Sequence, residues 1–305
     1  MSRLNGLFDV QVVFILFLVL VIIALVLCHF IFLLIVFNKT LHSPPNLLIC
    51  NTCIASILYF VTITIKIGLF YMGSVLSDWS CRILAYLAYS FHHAVSYSYL
   101  IQALSRLLFI FYHQHRHLLQ YKFHLILIIC QTVISFLATS SSLITRDVIF
   151  RPLRICLISS TKVIHALVFF ITSYIAPLCI IIIIYTIIYC RVIRSSVVIR
   201  QSAHDTKRDM QLMRNILILF LVFLSAGVPS IIYAIIAFTS HSSSLALYMM
   251  PFLAGPFSVT MEKICLIFLN HEIRRAMKKL MEGLHLIRPS NRVTSLAFSS
   301  AHGNT

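Results

Sequence analysis

Charged side chains stand inside otherwise apolar stretches of this sequence, where an ionised group can bind an ion or a counter-charge. Lys66 and Arg106 are isolated cations of this kind, and Glu262 directly precedes Lys263. An ionisable residue in an apolar medium is expensive to keep and therefore marks a candidate functional site. The chemistry on offer is electrostatic binding, because no set of nucleophile, base and acid is legible in these stretches.

The composition indicates a membrane protein. The chain has 305 residues, of which 60% are hydrophobic and 10% charged, and its mean hydropathy is +0.97. A soluble domain of this length needs more charge to cover its surface. In a membrane protein, the net charge of +16 is more typical of cytoplasmic loops than of nucleic-acid binding. No glycine-rich phosphate loop, paired-CxxC zinc pattern or HExxH appears, so we expect no nucleic-acid partner, no metal, no cofactor and no enzyme activity.

Seven apolar stretches are long enough to cross a bilayer, which takes about 20 residues. They cover roughly 10–37, 46–72, 82–112, 121–143, 163–190, 211–239 and 245–269. We therefore expect an all-α membrane protein, a seven-transmembrane helix bundle over 10–269, with residues 1–9 as a short extracellular N-terminus. Apolar and basic side chains at helical spacing predict a short amphipathic eighth helix over 270–284, lying on membrane lipid. The polar residues 285–305 predict a disordered cytoplasmic tail.

Basic residues and cysteines orient the bundle. With the N-terminus outside, sixteen lysines and arginines lie in inner segments and six in outer ones, which favours this orientation. Seven of the nine cysteines lie in or at the ends of apolar stretches and are expected to pack as small apolar groups. The other two, Cys81 and Cys156, lie outside, where conditions are oxidising. We expect them to form a disulfide that holds the second outer loop across the mouth of the bundle.

Arg106 lies 25 residues after Cys81, which at about 1.5 Å per residue places it near the inner end of the third span. Other motifs occur at fixed spacings in further spans. These are Asn46 and Asn51 in span two, Pro177 and Tyr185 in span five, Phe223 and Pro229 in span six, and NHEIRRAMKKL at 270–280. Together they resemble the rhodopsin-like (class A) G-protein-coupled receptors over nearly the whole chain, with Arg106 at the arginine of the D/E-R-Y motif.

The resemblance implies a plasma-membrane receptor that transduces an extracellular ligand signal to a cytoplasmic G protein by helix rearrangement. Asp209 then stands where the family often has the acid that pairs with the arginine, and Tyr185, Phe223, Pro177 and Pro229 belong to the switch. Lys66 lies at the depth of the family's ligand pocket, where with His92 and His93 it could hold an anionic or peptide ligand; alternatively it snorkels to the outer surface. If family positions transfer, the pocket also includes Tyr89, Ser173, Ser230 and Phe252.

The sequence departs from the family's pattern at several switch positions. Ser105 replaces the acid before the arginine, Ser56 the span-two aspartate of the sodium site, Gly227 the span-six tryptophan, and Glu262-Lys263 the N-P of N-P-x-x-Y. Adjacent helix positions differ by about 100°, so Glu262 and Lys263 are expected to point in different directions. Either Glu262 supplies the carboxylate lost at Ser56, with Asn51 nearby, or both charges pair with polar neighbours.

Two other readings remain open. A receptor-like protein that no longer couples would also carry altered switch motifs. Arg106 itself could alternatively be a snorkelling residue that anchors a helix end. A small multi-pass transporter would more often show inverted repeats or glycine-interrupted helices, and neither is visible in a chain with 7 glycines.

Overall fold

The computed structural model describes residues 2–72, 77–112, 116–144, 148–150, 156–158, 163–198 and 245–286, with positions 214, 217–218, 220–222, 224–225, 227–229, 232 and 235–236. Its long helices are α1 (Ser2–Phe37), α2 (Pro44–Tyr71), α3 (Asp78–Phe111), α4 (Tyr121–Ile144), α5 (Val163–Phe170), α6 (Ala176–Val198), α7 (Leu245–Leu269) and α8 (His271–Leu286). A π-helical turn, Ile171–Ile175, joins α5 to α6, and we call the combined helix span five.

The helices have the length and apolar character of membrane spans. Within the described residues, five segments could each cross a membrane: Gln11–Phe37, Pro44–Leu69, Asp78–Phe111, Tyr121–Ser140 and Leu167–Arg191. Segment Leu253–Leu269 of α7 passes the same test together with α8, to which it is bent by 82°. In the predicted span 211–239, which we call span six, the described positions are helical. The predicted all-α transmembrane bundle is thus confirmed.

Polar residues cap the N-termini of α3 and α8. Ser77 caps α3 by accepting a hydrogen bond from the backbone N–H of Ser80 at 3.2 Å. Asn270 caps α8 in the same way, because its Oδ1 accepts the N–H groups of Glu272 at 3.0 Å and Ile273 at 3.3 Å. This cap satisfies the first donors of α8 at the sharp bend after α7.

Helix α3 lies at the centre of the bundle. It packs against α2, α4 and α6, whereas α1 packs mainly against α7 and α2. Large apolar side chains on the outer faces stay exposed, among them Ile22 and Val26 of α1 and Ile129 of α4. In a soluble protein such faces would need a cover, whereas lipid covers them in a membrane.

Helix α8 is amphipathic, as predicted. Ile273 and Ala276 are buried against the bundle, whereas the four basic residues between them and beyond are exposed. It is tied to α2 because Asn46 Nδ2 donates to Glu272 Oε2 at 3.1 Å.

Two helix bounds differ from the expected ones by about eight residues: span five ends at Val198 and not at 190, and the other difference is at the start of α1. Helix α1 begins at Ser2, not near residue 10, because polar residues before the apolar stretch continue the helix. Two three-residue strands, β1 (Val148–Phe150) and β2 (Cys156–Ile158), pair antiparallel before span five and contact α3.

Candidate functional site

At the end of α3 that carries Arg106, the serine that replaces the acid of the D/E-R-Y motif forms a neutral hydrogen bond to α4. Ser105 is buried, and its hydroxyl lies 2.8 Å from Nε2 of the buried His124 on α4. Nδ1 of His124 lies 3.0 Å from the carbonyl oxygen of Gln120. A carbonyl only accepts, so Nδ1 carries the hydrogen and Nε2 accepts from Ser105. The position beside Arg106 is therefore bonded to α4 and offers the guanidinium no counter-charge.

Arg106 itself is half-buried and lies within electrostatic range of Tyr185 on α6. Tyr185 is buried, and its hydroxyl has no hydrogen-bond partner within the described residues. Two predicted members of this group, Asp209 and Phe223, lie outside the described residues. The structure therefore brings the arginine of α3 and the tyrosine of span five to the same end of the bundle.

The two prolines of the predicted switch lie in helices. Pro177 is buried near the start of α6, and Pro229 is half-buried at a helical position of span six. Proline lacks the N–H that an α-helix needs at an interior position. Near Pro177 the backbone adopts the π-helical turn, a feature that frequently lies at functional sites.

Glu262 and Lys263 form a buried ion pair in α7. Lys263 Nζ lies 2.9 Å from Glu262 Oε1, and the side chains are 0% and 2% exposed. The expectation that adjacent helix positions keep these charges apart was wrong, because both side chains are long enough to curl towards each other across the helix surface.

The ion pair lies where several helices meet. Cys28 of α1, Cys53 of α2 and Tyr99 of α3 are all buried within its electrostatic range. Two residues that were expected near the pair bond elsewhere. Ser56 donates to the Thr52 carbonyl of its own helix at 2.8 Å, and Asn51 donates to Gln131 of α4 at 2.8 Å.

The opposite end of α3 carries Cys81, which is buried and disulfide-bonded. The cysteines at 28, 50, 53, 130, 179, 190 and 265 are free thiols. The backbone of Cys156 lies in β2 opposite Phe150, and both strands contact α3. The side chain of Cys156 lies outside the described residues.

Lys66 is a second buried lysine, nearer the Cys81 end. It is 5% exposed, and its Nζ lies 5.5 Å from the ring centroid of Tyr89. No carboxylate within the described residues forms an ion pair with it. The alternative in which Lys66 extends to the bundle surface does not fit this burial.

An aromatic layer extends beside Lys66 and Tyr89, and we call it the aromatic floor: Tyr59, His92, Phe169 and Tyr174. The centroid of the His92 ring lies 5.3 Å from that of Tyr59, 5.6 Å from Phe169 and 5.2 Å from Tyr174. Tyr89 joins the floor at 4.8 Å from Phe169. His92, predicted as a ligand contact, is thus a packed member of this layer.

His93, the neighbouring predicted contact, joins α3 to span five. Its Nδ1 donates to the Tyr89 carbonyl at 2.9 Å, and its Nε2 lies 3.0 Å from Thr172 Oγ1. One turn further on, Ser96 donates to the carbonyl of Ser173, and the Ser173 hydroxyl donates to the Phe169 carbonyl at 2.6 Å. The predicted Ser173 is therefore buried and bonded within its own helix.

Two predicted pocket residues, Ser230 and Phe252, lie wholly or partly outside the described residues. Ser230 lies outside the described residues, and Phe252 lies in α7 with its side chain outside them. Sequence reasoning also missed Tyr174, which packs against span six: a Cβ at Gly227 would lie 3.2 Å from Cε1 of Tyr174. The signal was present in Gly227, because a glycine at a tryptophan position leaves a volume that another ring must fill.

Within the described residues, no group of three or more histidine, cysteine or acidic side chains lies close enough to hold a metal ion. In the described parts of the chain, a buried lysine without an ion-pair partner, Lys66, lies above an aromatic floor near Cys81. Arg106 lies at the opposite end of the same helix bundle.

Comparison with known protein families identifies the bundle. The family model described as 7 transmembrane receptor (rhodopsin family) matches residues 28–261. No curated protein matched the chain. The match covers well over half of the 305 residues, and the members of this family are receptors and not enzymes. The chain belongs to the rhodopsin family of seven-transmembrane receptors.

Proposed function

We propose that this receptor lies in the plasma membrane and couples an extracellular ligand to a heterotrimeric G protein. The N-terminus lies outside and the C-terminus in the cytosol. This orientation places most of the lysines and arginines in cytoplasmic segments, which is the arrangement that membrane proteins favour. The Cys81 end is then the extracellular end, and the Arg106 end faces the G protein.

The observation that carries this proposal is the placement of Arg106. It stands at the end of α3 beside Tyr185 of span five, and its neighbour Ser105 is engaged with His124 of α4. No acid adjacent in sequence restrains the guanidinium, so a movement of span five or six changes its surroundings directly. We propose that Asp209, two residues before span six, is its restraint in the resting receptor.

At the extracellular end we propose that Cys81 pairs with Cys156. Seven cysteines are free thiols, Cys81 is disulfide-bonded, and β2 contacts α3. The bond would hold the strand pair beside the start of α3, over the entrance to the site near Lys66. The proposed ligand is anionic or carries an anionic group, because Lys66 is buried at this end of the bundle and has no ion-pair partner within the described residues.

G-protein activation in cells tests the proposal, with wild type and Arg106→Ala compared at equal surface expression. Arg191→Ala is the matched control, because Arg191 is exposed on α6 and stacks on Phe111 at 5.1 Å. We expect Arg106→Ala to abolish basal activation of the coupled G protein and Arg191→Ala to retain it. Absence of activation by wild type with every G-protein class would favour a receptor-like protein that does not couple.

A further inference from the structure

Two buried lysines of the bundle differ in whether a carboxylate lies beside them. Lys263 is 0% exposed and lies 2.9 Å from a carboxylate oxygen of Glu262, so the pair is neutral. Lys66 is 5% exposed and has no such partner within the described residues. The chain has only 8 acidic residues. Within the described part of the chain, Lys66 is therefore a buried cation that no carboxylate pairs.

The energy balance at Lys66 is incomplete. Removing an ammonium from water is costly even after relaxation of the protein. The cation–π contact of Lys66 with the Tyr89 ring, at 5.5 Å from the centroid, offsets only part of that cost. A buried amine can also lower this cost by releasing its proton, so a ligand anion beside Lys66 would supply the counter-charge that keeps it protonated.

The surroundings limit what that counter-charge can be. Lys66 offers one positive charge, which suits a singly charged group. The next cation along α3, Arg82, stands seven residues before Tyr89, or about 10 Å along the helix axis. Among the described cations Lys66 is therefore the one that contacts the Tyr89 ring, and a doubly charged phosphate held by Lys66 alone would keep an unpaired charge.

The aromatic floor limits how deep the ligand reaches. Ring centroids along it lie 4.8–5.6 Å apart, which is the spacing of directly packed rings. His93 is held by both of its nitrogens. The anionic group is therefore the innermost part of the ligand, and the remainder extends towards the Cys81 end.

We propose that Lys66 is the anchor for a monoanionic carboxylate of the ligand, which sits on the aromatic floor beside Tyr89. This assignment rests on the proposed receptor function for its biological meaning. Its test, however, needs neither a G protein nor the natural ligand.

The first measurement is the thermal unfolding of the purified full-length receptor without ligand. Lys66→Met keeps the side-chain length and removes the unpaired charge, so we expect the melting temperature to rise by about 2–4 °C, which corresponds to about 1 kcal/mol. Lys263→Met is the matched control and should lower it, because Glu262 then stays buried without its partner. A fall for Lys66→Met as large as that for Lys263→Met would overturn the proposal.

The second measurement is the thermal shift produced by acetate, benzoate and octanoate, each compared with its own amide. We expect at least one carboxylate to raise the melting temperature of wild type by several degrees more than its amide, and inorganic phosphate to raise it less. Lys66→Met and Lys66→Gln should abolish the difference, and the second variant serves if the first folds poorly. Equal shifts by acid and amide, a shift retained in both variants, or no shift in wild type would each contradict the assignment.

The two failures are distinguishable. A receptor that binds carboxylates at Lys66 but shows no Arg106-dependent activation keeps the anchor and loses the coupling function. A receptor that couples but ignores carboxylates keeps the function and loses the anchor.

Discussion

The contact between Gly227 and Tyr174 yields a quantitative prediction about how span five bears on span six. A Cβ added at Gly227 would lie 3.2 Å from Cε1, 3.3 Å from Cζ and 3.4 Å from Cδ1 of the tyrosine ring. These distances are shorter than ordinary carbon–carbon contacts of about 3.5–4.0 Å. Gly227→Ala therefore requires the ring or the helix to shift by a few tenths of an ångström.

The magnitude follows from two opposing effects. Replacing glycine by alanine inside a helix stabilises it by about 1 kcal/mol. Overpacking a well-packed core costs about 1–3 kcal/mol. The net effect of Gly227→Ala is therefore between neutral and a loss of about 2 kcal/mol in the free energy of unfolding.

Two other glycines provide a graded control within the same protein. A Cβ at Gly68 of α2 meets nothing within 4 Å, and one at Gly255 of α7 meets only the Tyr59 hydroxyl at 3.6 Å. Both substitutions should keep most of the helix gain. Thermal unfolding should rank the variants Gly68→Ala, Gly255→Ala and Gly227→Ala from most to least stable.

A double-mutant cycle with Tyr174→Leu isolates the contact. Leucine lacks the ring atoms that the new Cβ would meet, so Gly227→Ala should cost less in that background, with a coupling energy of at least about 0.5 kcal/mol. Strict additivity would refute the packing argument. So would a Gly227→Ala variant as stable as Gly68→Ala.

Three further predictions concern the other departures. Glu262→Gln leaves Lys263 buried without its counter-charge and should cost about 3–5 kcal/mol in unfolding free energy; adding Lys263→Met should recover part of it, and a neutral Glu262→Gln would contradict the ion pair. Ser105→Ala leaves His124 Nε2 without its donor, so chemical denaturation should show a loss of about 1–3 kcal/mol, whereas an unchanged midpoint would count against the link. Asp209→Asn should raise basal G-protein activation if Asp209 restrains Arg106, and a well-expressed variant with unchanged basal activity would exclude that pairing.

The bundle could be predicted closely from the sequence, because the thickness of a bilayer fixes the length of an apolar helix. The expected span 245–269 coincides with Leu245–Leu269, and 121–143 differs by one residue from Tyr121–Ile144. The start of α1 was missed because polar residues can continue a helix beyond the membrane-crossing part. Apolar length alone carries no information about such an extension.

The side-chain arrangement of the sites was harder to predict from the sequence. Helical spacing assigned Glu262 and Lys263 to different directions, whereas their flexible side chains meet at 2.9 Å. The partner of Ser105, His124, lies on another helix, and nothing in its own sequence neighbourhood marks it. Contacts of this kind depend on which helices become neighbours, which periodicity within one helix does not specify.

The departures from the family's pattern form a consistent set when their neighbours are considered. The acid missing at Ser105 is replaced by a hydrogen bond to His124, and the volume opened at Gly227 is occupied by the Tyr174 ring.

The altered pair in α7 is also compensated, because Glu262 and Lys263 neutralise each other. A bundle that had merely lost its switch would be expected to leave cavities and unpaired charges at these positions, each costing stability. Lys66 is the exception that remains. Within the described residues no carboxylate pairs with Lys66, and it lies beside the aromatic floor whose Tyr174 ring contacts Gly227 of span six. A ligand carboxylate at Lys66 would therefore act on a packed layer that reaches span six.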